Sequence, residues 1–269
     1  MGGDTLLSAL GSVVNALFLV ASIYIYVSLL RQIGTRRTDP SLATDRRFGL
    51  PEAAVAVALA TLFALNSIGA GSAQIVNLRT RDLIANGIFA AGLVAFITVF
   101  LKLRRFDVTE LAGLTRVHFR RAIATGLVLM IFAYPLIIFA DWVTARVLGS
   151  GSSRQGIVEL FSSSQLLEQR IIIIVLAVAV APIAEEFVFR FFLYGVLRRY
   201  VGRIVALVLS SLLFAAVHAH LPSFVPLFVL GSCFTLAYEW SGSLLVSMTM
   251  HAIFNALTLT ALAFPDMVQ

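Results

Sequence analysis

The fold is decided by residues 171–190, which read IIIIVLAVAVAPIAEEFVFR. The first fourteen residues of this stretch carry no polar side chain, and two adjacent carboxylates, Glu185 and Glu186, then interrupt the apolar run. A helix of about 20 apolar residues spans a bilayer, so the stretch predicts a membrane helix with charge near its middle. Each such carboxylate costs roughly 2.5–3.5 kcal/mol to insert, and this cost is typical of a functional site.

The composition of the whole chain indicates a membrane protein. Hydrophobic residues make up 59% of it and charged residues 13%, whereas soluble domains carry about a quarter charged residues. The chain therefore predicts an all-α polytopic membrane protein with about eight transmembrane helices, the first of which is retained because no signal-peptide cleavage site follows it. The apolar runs lie at about 5–30, 52–74, 83–103, 122–148, 170–199, 201–219, 222–239 and 243–264.

The basic residues alternate between the predicted loops. Fourteen of the 20 lie in the loops 31–51, 102–121 and 198–203, and five lie in the other loops. By the positive-inside rule, this bias predicts that those three loops are cytoplasmic and that both termini lie outside. We expect the protein to be located in a prokaryotic plasma membrane. The bilayer thus accounts for the net charge of +6, and nucleic acid is not an expected partner.

The chain divides at a glycine- and serine-rich stretch, Gly149–Gly156. We interpret residues 1–150 as four accessory transmembrane helices and residues 155–269 as a four-helix catalytic core, because the second part holds nearly all ionisable groups at membrane depth. A transporter is less favoured, since it would spread polar residues through several helices of both halves. Two connecting segments are also singled out: Val108–Arg121 as an interfacial segment and Ile157–Gln169 as an external amphipathic helix.

The two carboxylates of the decisive stretch have different neighbours. Glu186 and Arg190 are four residues apart, on one face of the helix, and neutralise each other in the favourable order. Glu185 is rotated by about 100° from Glu186 and has no partner within its own helix. A spare carboxylate inside a membrane protein suits a general base.

Two later helices bring further polar side chains to membrane depth. Phe214 and His218 are four residues apart in the sixth span, and His251 and Asn255 are four apart in the eighth. Together with Glu185 these groups match hydrolysis: a glutamate and a histidine hold and deprotonate a water, while a histidine and an amide donate to an oxyanion. The single cysteine, Cys233, excludes an internal disulfide and a cysteine-based metal site.

Three motifs on successive helices resemble the CAAX protease and bacteriocin-processing (CPBP, or Abi; Rce1-like) family of intramembrane proteases. They read EEFVFR at 185–190, FAAVH at 214–218 and HAIFN at 251–255. The resemblance covers roughly residues 170–264. It implies that the protein is an intramembrane endopeptidase acting on a membrane protein or peptide, with the following roles: Glu185 and His218 activate water, His251 and Asn255 form the oxyanion site, and Glu186, Arg190 and Phe214 support them.

Some alternatives stay open at the level of the sequence. No cofactor is favoured, but Glu185, His218 and His251 also form a two-histidine, one-carboxylate set of the kind that binds zinc. A non-proteolytic membrane binding or bacteriocin-immunity protein that keeps the fold is the main alternative function. The substrate, its prenylation and the oligomeric state are not indicated.

Overall fold

A computed structural model describes residues 3–35, 48–71, 80–149, 161, 164 and 166–263 of the chain, and over these residues the secondary structure is helical, without strands. The predicted all-α class is therefore confirmed. The helices, in chain order, are α1 (Gly3–Thr35), α2 (Leu50–Gly71), α3 (Thr80–Leu103), α4 (Val108–Leu111), α5 (Phe119–Leu148), α6 (Leu167–Val201), α7 (Arg203–Val217), α8 (Phe224–Ser241) and α9 (Leu244–Ala263).

The lengths of these helices bear out the prediction of about eight transmembrane helices. Seven of them are long and apolar enough to cross a membrane, namely all except α4 and α7. Helix α7 is apolar but has only 15 residues, so at 1.5 Å per residue it is shorter than the hydrocarbon core of a bilayer, which is about 30 Å thick. The eight predicted spans are thus seven full-length helices and one short helix, and the protein is a multi-pass integral membrane protein.

The hydrophobic core is shared by the two predicted parts of the chain. Helix α5 packs against α8 and α9, α1 packs against α5 and α8, and α2 packs against α7. A buried hydrogen bond of 2.9 Å from Tyr26 Oη to the carbonyl oxygen of Leu129 joins α1 to α5. The division into residues 1–150 and 155–269 stays a prediction. Residues 150–156 and most of Ile157–Gln169 lie outside the described residues.

Ion pairs join the helix ends that carry the basic loops. Arg104 at the end of α3 lies 3.0 Å from the buried carboxylate of Glu52 in α2. Glu239 near the end of α8 accepts contacts from Arg198 at 2.8 Å and from Arg203 at 3.1 Å. Arg203 also donates to the carbonyl oxygen of Ile33 near the end of α1 at 2.9 Å. These contacts bring the segments predicted to be cytoplasmic to one end of the bundle, which we call the basic end.

The segment Val108–Arg121 contacts the start of the last helix at the basic end. It consists of the short helix α4, a series of turns and the first residues of α5. The backbone N–H of Leu244 donates to the carbonyl oxygen of Ala112 at 3.0 Å. Next to this bond, Gly113 and Gly242 are both in the left-handed region, with φ of +66° and +68°.

We expect Gly113→Ala to lower the stability and folded yield of the protein strongly. A Cβ at Gly113 would overlap the carbonyl oxygen of Gly242, and neither backbone can yield without breaking the contact to α9. The cost should exceed about 2 kcal/mol, because steric overlap adds to the roughly 1–2 kcal/mol of left-handed strain. Thermal unfolding in detergent measures it.

Gly149→Ala is the matched control for this substitution. Gly149 has a similar φ of +71°, but a Cβ there would meet no atom within 4 Å, so only the backbone strain is added. Equal losses of stability in the two variants would show that the contact between Gly113 and Gly242 contributes nothing.

Candidate active site

Helix α6 is irregular where it carries the two carboxylates. Residues 176–180 and 187–193 form wide π-helical turns, and the short α-helical stretch Ala181–Glu186 lies between them. In the first wide turn, the backbone N–H of Ala181 donates to the carbonyl oxygen of Leu176, five residues earlier. Wide turns within α-helices occur frequently at functional sites. Here they flank Glu185 and Glu186 on both sides.

Glu186 is the centre of a buried polar network. Its side chain is 0% exposed, and its Oε1 lies 3.2 Å from Nη1 of Arg190, which is 1% exposed. The same Oε1 accepts a hydrogen bond of 3.0 Å from Nδ1 of His251. The predicted pairing of Glu186 with Arg190 is thus present, and a histidine from α9 joins it. A buried charge requires such partners, because desolvation otherwise costs several kcal/mol.

Aromatic rings and a backbone carbonyl surround the guanidinium of Arg190. The guanidinium carbon lies 4.1 Å from the ring centroid of Phe214 and 5.2 Å from that of Phe234, which are cation–π distances. Its Nη2 donates to the carbonyl oxygen of Gly231 at 3.3 Å. A Cβ at Gly231 would lie 3.2 Å from Nη2, so only glycine lets the backbone of α8 approach the cation freely.

Glu185 has a different environment from Glu186. Its side chain is 30% exposed, and its Oε2 lies 3.9 Å from Nε2 of His251, which exceeds hydrogen-bonding distance. This oxygen is buried, and it finds no hydrogen-bond partner within the described part of the chain. The sequence predicted a carboxylate without a partner in its own helix, and the structure places such a carboxylate beside His251.

The ring of Phe214 lies between the two histidines of the site. Its centroid is 5.0 Å from that of His218 and 5.8 Å from that of His251, and both contacts are edge-to-face. Nδ1 of His218 lies 2.8 Å from the carbonyl oxygen of Phe214. A carbonyl oxygen can only accept, so Nδ1 carries the proton, and Nε2 of neutral His218 is then an acceptor.

The same reasoning applies to the ring of His251. Its Nδ1 faces the carboxylate of Glu186, which accepts, so Nδ1 carries a proton here as well. The Nε2 atom, which faces Glu185, then donates only when the ring holds a second proton. The ring of Phe234 stacks on this imidazole at a centroid distance of 5.0 Å and fixes its plane.

Asn255 contacts the backbone of α6. Its Nδ2 donates to the carbonyl oxygen of Ala177 at 2.7 Å, within the first wide turn. The amide has a second hydrogen, which this bond leaves unused. The two predicted donors, His251 and Asn255, lie one turn apart on α9, and one hydrogen of the Asn255 amide is already bonded to α6.

The sequence patterns did not predict three groups that contribute to the site: Gly231, Phe234 and the carbonyl of Ala177. Helix α8 carries no charged motif at the site, so nothing in its sequence indicated that Gly231 and Phe234 contact Arg190. The Ala177 carbonyl did have a signal, since Pro182 lacks a backbone N–H and must leave one carbonyl of the preceding turn without its helical donor.

The described residues do not form the three-ligand set that a catalytic zinc ion needs. A catalytic zinc site needs three protein ligands that converge on one point, and among the described residues no three His, Cys, Asp or Glu side chains are grouped in this way.

Known proteins are similar to the part of the chain that holds this site. Residues 167–257 match the family described as type II CAAX prenyl endopeptidase, Rce1-like. The membrane-embedded CAAX protease MroQ of Staphylococcus aureus (strain USA300) is 37% identical over 83 residues, which are 28% of this chain and 33% of that protein. The match thus spans a third of the length of this relative. No solved structure matches the chain.

Proposed function

We propose, from the Rce1-like family match of residues 167–257, that the protein is an intramembrane endopeptidase that hydrolyses a peptide bond of a membrane-associated protein or peptide. The observation that carries this proposal is the carboxylate of Glu185. It is buried at its Oε2 atom without a hydrogen-bond partner in the described residues, and it lies beside a network in which Oε1 of Glu186 contacts both Arg190 and His251. The family match and the membrane helices support a membrane protease.

The two acceptors of the site are suited to activating a water. Glu185 takes the proton of a water whose second hydrogen bonds to Nε2 of His218, and the water oxygen attacks the carbonyl carbon of the substrate. The protonated Glu185 then gives the proton to the leaving amine, so the carboxylate is regenerated when the peptide bond breaks. The bond from His218 Nδ1 to the Phe214 carbonyl keeps Nε2 free for this role.

The donors of the site are suited to an oxyanion. When the ring of His251 holds a second proton, its Nε2 presents an N–H beside Glu185, and its Nδ1 stays hydrogen-bonded to Glu186. The second hydrogen of the Asn255 amide adds another donor. Such preorganised donors stabilise a tetrahedral intermediate by several kcal/mol. Phe214, Arg190 and Glu186 hold the two histidines in place.

The basic end of the bundle gives the orientation that we propose. It joins the segments that carry most of the loop arginines, and such segments favour the cytoplasm. Both termini would then lie outside, and Glu185 would lie deep in the membrane. A substrate that resides in the bilayer suits this depth.

The test is cleavage of membrane peptides by the purified protein in proteoliposomes, read by mass spectrometry. The control is the double variant Glu185→Gln with His218→Ala, prepared identically, so a contaminating protease would act in both samples. Both side chains are partly exposed, and the variant should fold. Cleavage by the wild type alone is expected. Cleavage at equal rates in both samples, or in neither across membrane peptides of varied sequence, would indicate a non-proteolytic protein.

We expect chelation to leave the cleavage rate unchanged. The site residues form no set of three converging ligands in the described part of the chain, so activity should persist after dialysis against a chelator with metal removal verified by elemental analysis. A loss of activity that added zinc restores would contradict the metal-free mechanism.

A further inference from the structure

Pro182 creates a defect in the hydrogen bonding of helix α6. In the wide turn 176–180, the backbone N–H of Ala181 donates to Leu176, five residues earlier. The next donor in this register would be residue 182, and its acceptor would be the carbonyl oxygen of Ala177. Proline has no N–H. Within a membrane, where water does not replace the missing donor, an unsatisfied backbone carbonyl is strongly unfavourable.

The side chain of Asn255 supplies the missing donor. Its Nδ2 lies 2.7 Å from the carbonyl oxygen of Ala177, the acceptor that Pro182 leaves without an amide. The bond therefore crosses from α9 to α6. Four residues earlier on α9, His251 makes another polar contact between these helices, a hydrogen bond to Glu186. Two such contacts, one turn apart on α9, fix both the distance and the register of the two helices.

We propose that Asn255 is a positioning residue, whose amide replaces the backbone N–H that Pro182 lacks and thereby holds Glu185 beside His251. This inference rests on the proposed function, because it gives Asn255 a role in the same hydrolytic site. It differs from the oxyanion role in its acceptor, which is the protein's own backbone. Without this bond, the backbone N–H groups of the wide turn would donate to other carbonyl oxygens. The residues that follow the turn, including Glu185, would then rotate about the axis of α6.

A double-mutant cycle with Pro182→Ala tests the inference. Alanine at 182 restores a backbone N–H, so the turn can complete its own hydrogen bonds and Asn255 becomes dispensable for them. The four proteins are the wild type, Asn255→Ala, Pro182→Ala and the double variant. For each, thermal unfolding in detergent, folded yield, kcat and KM are measured.

The expected result is a rescue. In the wild-type background, Asn255→Ala should lower the unfolding temperature and reduce kcat by about tenfold or more with little change in KM. In the Pro182→Ala background, Asn255→Ala should leave the unfolding temperature nearly unchanged. It should reduce kcat by a clearly smaller factor, because only the oxyanion donor, the second hydrogen of the Asn255 amide, is then lost. If Asn255→Ala alone does not fold, a double variant that does fold would show the same rescue.

Two results would overturn the inference. Equal effects of Asn255→Ala in both backgrounds would mean that the amide does not act through the Ala177 carbonyl. Rescue of stability without any rescue of kcat would mean that the bond holds the helices but does not position Glu185. The stability measurements need no substrate, so a failure of the proposed function, seen as no cleavage by the wild type, is distinguished from a failure of this inference.

Discussion

Arg190→Met is expected to destabilise the protein by roughly 3–5 kcal/mol, because it leaves the carboxylate of Glu186 buried with one partner removed. Glu186 is 0% exposed, and Arg190 lies 3.2 Å from it inside the bundle. The substitution also removes the cation from between Phe214 and Phe234. Denaturant or thermal unfolding of the detergent-solubilised protein measures the loss.

Arg198→Met is the matched control for this substitution. Arg198 also pairs with a glutamate, at 2.8 Å from Glu239, but its side chain is 32% exposed. Glu239 keeps a second partner in Arg203. Partly exposed pairs contribute about 0–1 kcal/mol, so this control should lose little stability.

A second variant separates the lost charge from the lost volume. Adding Glu186→Gln to Arg190→Met removes the uncompensated charge and keeps an oxygen that can accept from His251. The double variant should therefore be more stable than Arg190→Met alone. If it is equally or less stable, the pairing of Glu186 with Arg190 is not what Arg190 contributes, and packing of the long side chain explains the effect instead.

Glu185→Gln is expected to lower kcat by roughly 10²–10⁴-fold while changing the stability by less than about 0.5 kcal/mol. The amide keeps the shape of the side chain but cannot take a proton from water. Stability should be insensitive, because the side chain is 30% exposed and is 3.9 Å from its neighbour His251. Cleavage kinetics and thermal unfolding of the same preparation measure the two effects.

Glu168→Gln provides the control on the same helix. Glu168 lies in the first turn of α6 and is exposed, so its replacement should alter neither kcat nor stability. Cleavage by Glu185→Gln within about threefold of the wild type would contradict the role of Glu185 as the base. Loss of folding in this variant would assign Glu185 to the structural network with Glu186.

Much of the fold was predictable because a membrane imposes few solutions on an apolar chain. Length and hydropathy alone gave the spans, and all eight appear as helices near the predicted positions. The pairing of Glu186 with Arg190 was predictable as well, since a separation of four residues is a local property of any helix. The three motifs that pointed to the family lie in the matched residues 167–257.

The contacts between helices were not predictable from the same patterns. The bond from His251 to Glu186 and the approach of Gly231 to Arg190 depend on which faces of α6, α8 and α9 meet, and helix periodicity does not specify this. The wide turns of α6 depend on a shift in backbone register that the apolar residues around them do not encode. For this reason the bond of Asn255 to Ala177 appeared only in the structure.

The order of the site residues along the chain has a consequence for biosynthesis. Glu186 and Arg190 enter the membrane within one turn of α6, so they can neutralise each other at insertion, before any later helix is made. His251 and Asn255 arrive last, on α9. A nascent chain that has inserted α6 and α7 holds the carboxylate and His218 but none of the α9 donors. Under the proposed function, the site would therefore stay incomplete until α9 docks, and the growing protein would not cut neighbouring peptides during synthesis.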